Sequence, residues 1–307
     1  MTATSRREFL HTAARFAVGT AATGAVLVGG TSTLAGCSGS GDEAITGDGL
    51  PGDVQIVQRF PQNLVVGSQR MPISLAANGG LLAVGGDIAT PSRLRADVVR
   101  IDGGRDETVL SDIVGERHDA ELAVPYWLFR TEITEAGFYR LVIEGGPSDG
   151  AAFQVAQRSA NDVPSIGDVM PPFDTPTFAN ARGVSPICTR QPEPCPMHQV
   201  TLREALAAGR PVAYLIGTPA HCSTGTCTPA LEALVELQEQ VGEQIGFVHA
   251  EVYADANATV VAPAVEALAM NYEPALFLID STGTVVDRLD AVFDRVELDA
   301  VLAKLVS

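Results

Sequence analysis

The chain has 307 residues, with 20 Lys and Arg against 37 Asp and Glu, and a formal charge of -17. Hydrophobic residues make up 46% and charged residues 19%, the balance of a globular chain and not of a disordered one; the length suits two domains of roughly 100–150 residues. The acidic surplus excludes a nucleic-acid binder, which needs a basic face to follow phosphates.

The first 36 residues read as an address. Ser5-Arg6-Arg7-Glu8-Phe9-Leu10 resembles a twin-arginine export signal, with Arg6 and Arg7 as the paired arginines. An apolar stretch rich in Ala and Gly follows over 16–36, about long enough to span a bilayer, so a retained anchor helix is the alternative. Leu34-Ala35-Gly36-Cys37 then resembles the lipobox of a lipoprotein signal. Together the two resemblances imply removal of 1–36, lipid on Cys37, and a location on the extracytoplasmic face of the membrane. Residues 37–53 are rich in Gly, Ser and Asp and read as a flexible tether.

From 54 to 157 short apolar stretches alternate with Gly, Asn, Asp and Pro. The clearest strand candidates are 54–60, 96–101, 121–128, 137–143 and 151–155, with a period nearer two than 3.6. Strands at turn-delimited spacing predict an all-β sandwich. Gly137-Phe138-Tyr139 is similar to the step before a late strand in immunoglobulin-like domains, where a Tyr hydroxyl closes a corner onto the backbone. Trp127, the single tryptophan, reads as core filling, and His118 as a solvated loop residue among Glu116, Arg117 and Asp119. Nothing in this unit points to catalysis.

From 164 to 307 the pattern changes. Strands are predicted over 211–218, 246–253, 275–280 and 284–289, and helices over 228–241, 262–270 and 296–305. Thr201-Leu202-Arg203-Glu204 fits a capping box ahead of one more short helix. From the first of these strands the order is β-α-β-α-β-β-α. A right-handed crossover makes the first two strands parallel, and the turn at Ser281-Thr282-Gly283 makes the last two antiparallel. This order, with two cysteines between the first strand and its helix, resembles a thioredoxin-like domain. Ile166-Gly167-Asp168-Val169-Met170-Pro171-Pro172-Phe173 resembles the entry segment shared by peroxiredoxins and TlpA-type extracytoplasmic reductases. Glu273-Pro274-Ala275-Leu276-Phe277-Leu278-Ile279-Asp280 resembles their later proline-led strand. The expected architecture is an α/β thioredoxin-like domain preceded by an immunoglobulin-like sandwich. The resemblance further implies that Pro274 is cis and faces the redox cysteines.

Cys222 and Cys227 have four residues between them, not the two usual in thioredoxins. Five steps along a helix rise about 7.5 Å, beyond the reach of a disulfide, so the pair can join only if the helix starts after Cys222. Thr228 as N-cap and Pro229 as first helical residue supply such a start, and Gly225 lets the loop curl. By the family analogy Cys222 is the nucleophile and Cys227 its resolving partner; His221 either tunes Cys222 or faces solvent. A static staple is the other use of the same pair. Cys188 and Cys195, in a Pro-rich segment, are expected as a structural disulfide of an oxidising compartment.

The resulting expectation is a membrane-anchored thiol–disulfide oxidoreductase acting on exported thiol or disulfide proteins, with no metal or cofactor. A peroxiredoxin-like peroxidase competes with it, although Thr218 stands one residue from the position that family uses. A Sco-type copper-delivery protein, which would recruit His249 to the cysteine pair, and a redox-silent binding module are the remaining readings.

Overall fold

A computed structural model describes residues 50–306. Arg6, Arg7, Cys37 and the export signal lie outside the described residues, as does most of the tether. Among the described residues no helix is long and apolar enough to cross a membrane.

The first unit is a single sheet of nine strands: β1 (Gln55–Gln58), β2 (Asn63–Val65), β3 (Gly67–Ala77), β4 (Gly80–Leu81), β5 (Arg93–Asp102), β6 (Arg105–His118), β7 (Tyr126–Ile133), β8 (Gly137–Ile143) and β9 (Ala151–Ala156). Its order is β1-β3-β7-β6-β5-β8-β9-β2, with β4 paired to β3. The outermost strands, β1 and β2, follow each other in the chain. A link this short spans at most roughly 20 Å, so the two edges must approach and the sheet curls. Met71, Ile73, Leu75, Trp127, Phe129, Tyr139 and Leu141 fill the enclosed core, each at most 1% exposed. Trp127 is core, as its pattern suggested, with Nε1 donating to the Pro91 carbonyl at 3.0 Å. The Tyr139 hydroxyl donates to the Glu135 carbonyl at 2.8 Å and closes the expected corner.

Two long strands escaped the alternation pattern. β3 is buried over most of its length, polar Gln69 and Ser74 included, so polarity along it does not alternate with burial. β6 is exposed over most of its length and has little apolar period to show. The stretch 121–125, expected as part of a strand, is turn and coil; the strand itself begins at Tyr126.

The second unit is built on four strands in the order β11-β10-β12-β13: β10 (Val212–Ile216), β11 (Gly246–Ala250), β12 (Ala275–Ile279) and β13 (Val285–Asp290). β10 and β11 are parallel, and β12 is antiparallel to both β10 and β13. The helices are α1 (Leu202–Ala207), α2 (Cys227–Val241), α3 (Pro263–Ala267) and α4 (Arg295–Val306). From β10 the order is the expected one. Alternate side chains of the buried strands feed two cores. Tyr214, Ile216, Phe277 and Ile279 pack with α1 and α3, while Ala213, Leu215, Leu276 and Leu278 pack with α2 and α4. The Thr201 capping box is complete in both directions. α3 is shorter than the pattern suggested, ending at Ala267, with Ala269 at a φ of 51°.

The two units meet through charge buried at the start of α4. Arg70 of β3 grips Glu297 with two hydrogen bonds, 2.6 and 2.8 Å, and also donates to the Asp290 carbonyl. Tyr126 and Arg130 reach the same carboxylate at 2.6 and 2.7 Å. His118 is no solvated loop residue: it ends β6, stacks on Tyr126 and contacts Asp294 at 3.0 Å. Burial opposes ionisation of Glu297, but the Arg70 charge overcomes it and holds the carboxyl at about 2.

Candidate functional site

Cys222 and Cys227 stand where β10 gives way to α2. A single 3-10 turn over Pro219–His221 ends at Cys222, which is extended, with φ -73° and ψ 105°. α2 starts at Cys227 with Thr226 as N-cap, two residues earlier than the sequence suggested. Pro229 falls within the first turn, where the missing N–H has no helical acceptor to lose. Thr226 does not cap with its side chain; its hydroxyl donates to the Ala291 carbonyl at 2.7 Å. The Cys227 amide, at the first helical position, donates to the Cys222 sulfur at 3.3 Å. Gly225, at a φ of 69°, lets the intervening loop close back on itself.

The two sulfurs differ in environment. Cys222 is half-buried and lies 3.2 Å from the Thr224 hydroxyl. Hydrogen bonding from Cys227, then from Thr224 and the backbone amides of Cys227 and Thr226, outweighs burial and lowers its thiol to about 5. Cys227 is 1% exposed; burial first, and the Cys222 and Glu273 charges after it, push its thiol far up. This is the division expected of an attacking thiolate and a reserve thiol.

Pro274 follows a cis peptide bond, as the resemblance implied. It and Cys227 both border Gly217: a Cβ there would sit 3.3 Å from the Pro274 Cβ and 3.6 Å from the Cys227 sulfur. The preceding residue, Glu273, received no role in the sequence reading. Its Oε2 accepts the Thr218 amide at 2.8 Å and the Cys227 thiol at 3.5 Å. Burial, reinforced by the Cys222 charge, raises its carboxyl to about 8. Donor atoms of Cys222, Cys227 and Glu273 all lie within 4.8 Å of one another.

The other sequence candidates are turned elsewhere. His221 Nε2 lies 3.0 Å from the Ala256 carbonyl, with its ring edge-on to Tyr253. The Thr218 hydroxyl is fully buried and accepts the Val252 amide at 2.7 Å, so the group that a peroxidase reading would enlist is engaged away from Cys222. His249 does not join the Cys222 pair, as a Sco-type site would require. Its Nε2 is bonded to the Gly217 carbonyl at 2.9 Å, and its Nδ1 faces Cys188 and Cys195 at 3.7 and 3.4 Å.

Cys188 and Cys195 are neighbours, but all four described cysteines are unbridged thiols. The pair expected as a structural disulfide stands in a cluster that also holds His198 and His249, with the four donor atoms within 4.8 Å of one another. The long irregular segment before α1 carries three of them to the edge of β11, where the His249 amide donates to the Met197 carbonyl at 3.0 Å. All four residues are at most 4% exposed. Contact with Cys195, then with the two imidazoles, lowers the Cys188 thiol, while its neighbour Cys195 is raised by Cys188 and by burial. His198 escaped the sequence reading, although Cys195-Pro196-Met197-His198 shows a ligand-like spacing.

Comparison with protein-family models, with curated proteins and with solved structures finds no match.

Proposed function

We propose that the chain is an extracytoplasmic thiol–disulfide oxidoreductase, lipid-anchored at Cys37, whose second unit is a thioredoxin-like domain and whose first is an immunoglobulin-like sandwich. One observation carries this reading: the sulfur of the half-buried Cys222 receives the first-turn amide of α2 and is held at about 5, beside a buried Cys227. The element order from β10 and the cis Pro274, which with Cys227 borders Gly217, support the fold assignment. The closed corner at Tyr139 supports the sandwich.

In the reducing direction the Cys222 thiolate attacks one sulfur of a partner's disulfide. An S–S bond forms to Cys222, and the partner's other sulfur leaves as a thiolate and takes a proton from water. Cys227 then passes its proton to the Glu273 carboxylate and attacks the Cys222 sulfur, releasing the partner's second thiolate. The partner has gained two electrons and the chain holds a Cys222–Cys227 disulfide. The reverse sequence oxidises a dithiol.

The test uses a small disulfide protein such as insulin and the reduced full-length chain. Cys227→Ser is expected to accumulate a mixed disulfide through Cys222, and Cys222→Ser to form none. Absence of exchange by the unsubstituted chain, or a reduction potential in the range of inert structural bridges, below about -300 mV, overturns the proposal.

A further inference from the structure

The second cysteine pair stands in surroundings that a disulfide does not explain. The His249 ring is fixed by its Nε2–H donating to the Gly217 carbonyl at 2.9 Å. That bond settles the tautomer of the neutral ring and leaves Nδ1 as a bare lone pair. This lone pair faces three other donor atoms: Cys188 Sγ at 3.7 Å, Cys195 Sγ at 3.4 Å and His198 Nε2 at 3.1 Å. The His198 ring has a backbone hydrogen-bonding neighbour in Pro176, and its Nε2 is the atom turned to His249.

We infer that Cys188, Cys195, His198 and His249 form a structural site for a divalent, tetrahedral metal ion, with zinc as the ion the donors fit. Around zinc, sulfur at about 2.3 Å and nitrogen at about 2.05 Å give tetrahedral edges of about 3.6 Å for S···N and about 3.3 Å for N···N. The observed separations are 3.4 and 3.7 Å for S···N and 3.1 Å for N···N. Charge points the same way. Two thiolates and two neutral imidazoles carry two negative charges, which a buried site with donors at most 4% exposed tolerates only if they are cancelled. A divalent ion cancels both, and a monovalent ion such as Cu(I) leaves one over. Four protein donors leave no open position, so the ion would hold structure and take no substrate.

The supporting contacts are those of a metal knuckle. The Cys195 amide donates to the Cys188 sulfur at 3.4 Å. Beyond the donors, Thr189 is tied to the buried Glu251 carboxylate, and its hydroxyl accepts the Ala220 amide at 3.1 Å. Together with the Gly217 carbonyl, the cluster grips the chain on both sides of Thr218, just ahead of Cys222. Metal at this site would brace the loop that presents the exchanging thiol and keep Cys188 and Cys195 out of exchange.

The experiment is metal analysis of the purified full-length chain, followed by replacement with Co(II). One zinc per chain is expected, retained in the Cys222→Ser/Cys227→Ser double variant and lost in Cys188→Ser and His198→Ala. The Co(II) form should show a sulfur-to-metal charge-transfer band and visible bands of tetrahedral intensity. This readout needs no substitution at the site and stands if Cys188→Ser fails to fold. A metal-free chain with a Cys188–Cys195 disulfide in peptide mapping overturns the inference. So does zinc that follows Cys222 and Cys227, or a Co(II) spectrum without thiolate ligation. Exchange at Cys222 is read separately, by the mixed-disulfide assay with insulin.

Discussion

Burial, with Glu273 as a lesser contributor on the Cys227 side, separates the two sulfurs chemically. A carboxyl at about 8 is protonated through most of the neutral range and becomes a base above it. The Cys222 thiolate, at about 5, is present well before that. Formation of the mixed disulfide should therefore rise through about pH 5, whereas its resolution by Cys227 should rise at higher pH but below about 8, as Glu273 loses a proton held by burial, the Cys222 charge that also raises it being gone once Cys222 is in the mixed disulfide. Glu273→Gln is expected to slow resolution roughly 10–100-fold, in the range of general-base effects, and to abolish the upper inflection while leaving the lower one. Rapid mixing with acid quench and thiol alkylation, across pH 5–9, reads both steps. An unchanged upper inflection in the variant would remove Glu273 from the proton path. Glu273 was visible in the sequence only as the residue before Pro274. Its importance comes from burial against a chain segment nearly fifty residues away, which no local pattern announces.

Among the elements, the loop ahead of α2 follows from composition and α1 from its cap. Pro229 and Gly225 placed the start of α2 to within two residues, because each restricts the backbone locally. The N-cap itself sits among tertiary contacts: the Thr226 hydroxyl donates to the Ala291 carbonyl, and the Cys227 amide donates to the Cys222 sulfur. α1 has only six residues and depends on its start. Thr201→Ala removes the hydroxyl that accepts the Glu204 amide, keeps the backbone N–H that donates to the Glu204 carboxylate, and should cost about 1 kcal/mol, measurable as a shift of the denaturant midpoint with unchanged slope. A shift indistinguishable from zero would mean that packing of Leu202 and Ala205 alone sets this helix. The strands of the first unit were read best where one face is wet. β8 alternates cleanly and was found to the residue, whereas the buried β3 and the exposed β6 offered no period to find.

Taken whole, the molecule joins its two units through a buried charged contact, and that contact is continuous with the dithiol. Arg70 holds Glu297 and the Asp290 carbonyl, while Ala291 between them bonds to Thr226 and to the Pro274 carbonyl. Arg59 of the first unit also feels the Cys222 charge, which opposes the lowering of its own pKa by burial. Loss of one partner from a buried ion pair costs about 3–5 kcal/mol, so Arg70→Met should destabilise the chain by that order. Glu297 has a folded pKa depressed from 4.5 to about 2. Its contribution is fully present above about 4.5 and is lost as pH falls through about 2. In Arg70→Met that loss should move to higher pH. Calorimetry between pH 2 and 7 checks this, and identical acid profiles for the two proteins would contradict it.

The sequence by itself determined what is local. It specified the strand–loop–helix carrying Cys222 and Cys227 and the order of strands and helices from β10, both from residues a few positions apart with turn, cap or alternation chemistry of their own. The cis position of Pro274 and the corner at Tyr139 it offered only through resemblance to known families. Only the tertiary structure decided which distant groups meet. It brought His249 to Cys188, Cys195 and His198, placed Glu273 against Cys227, and turned His118 and Arg70 toward α4. Those encounters depend on which face of a strand is buried and against what, and burial is a property of the folded chain as a whole.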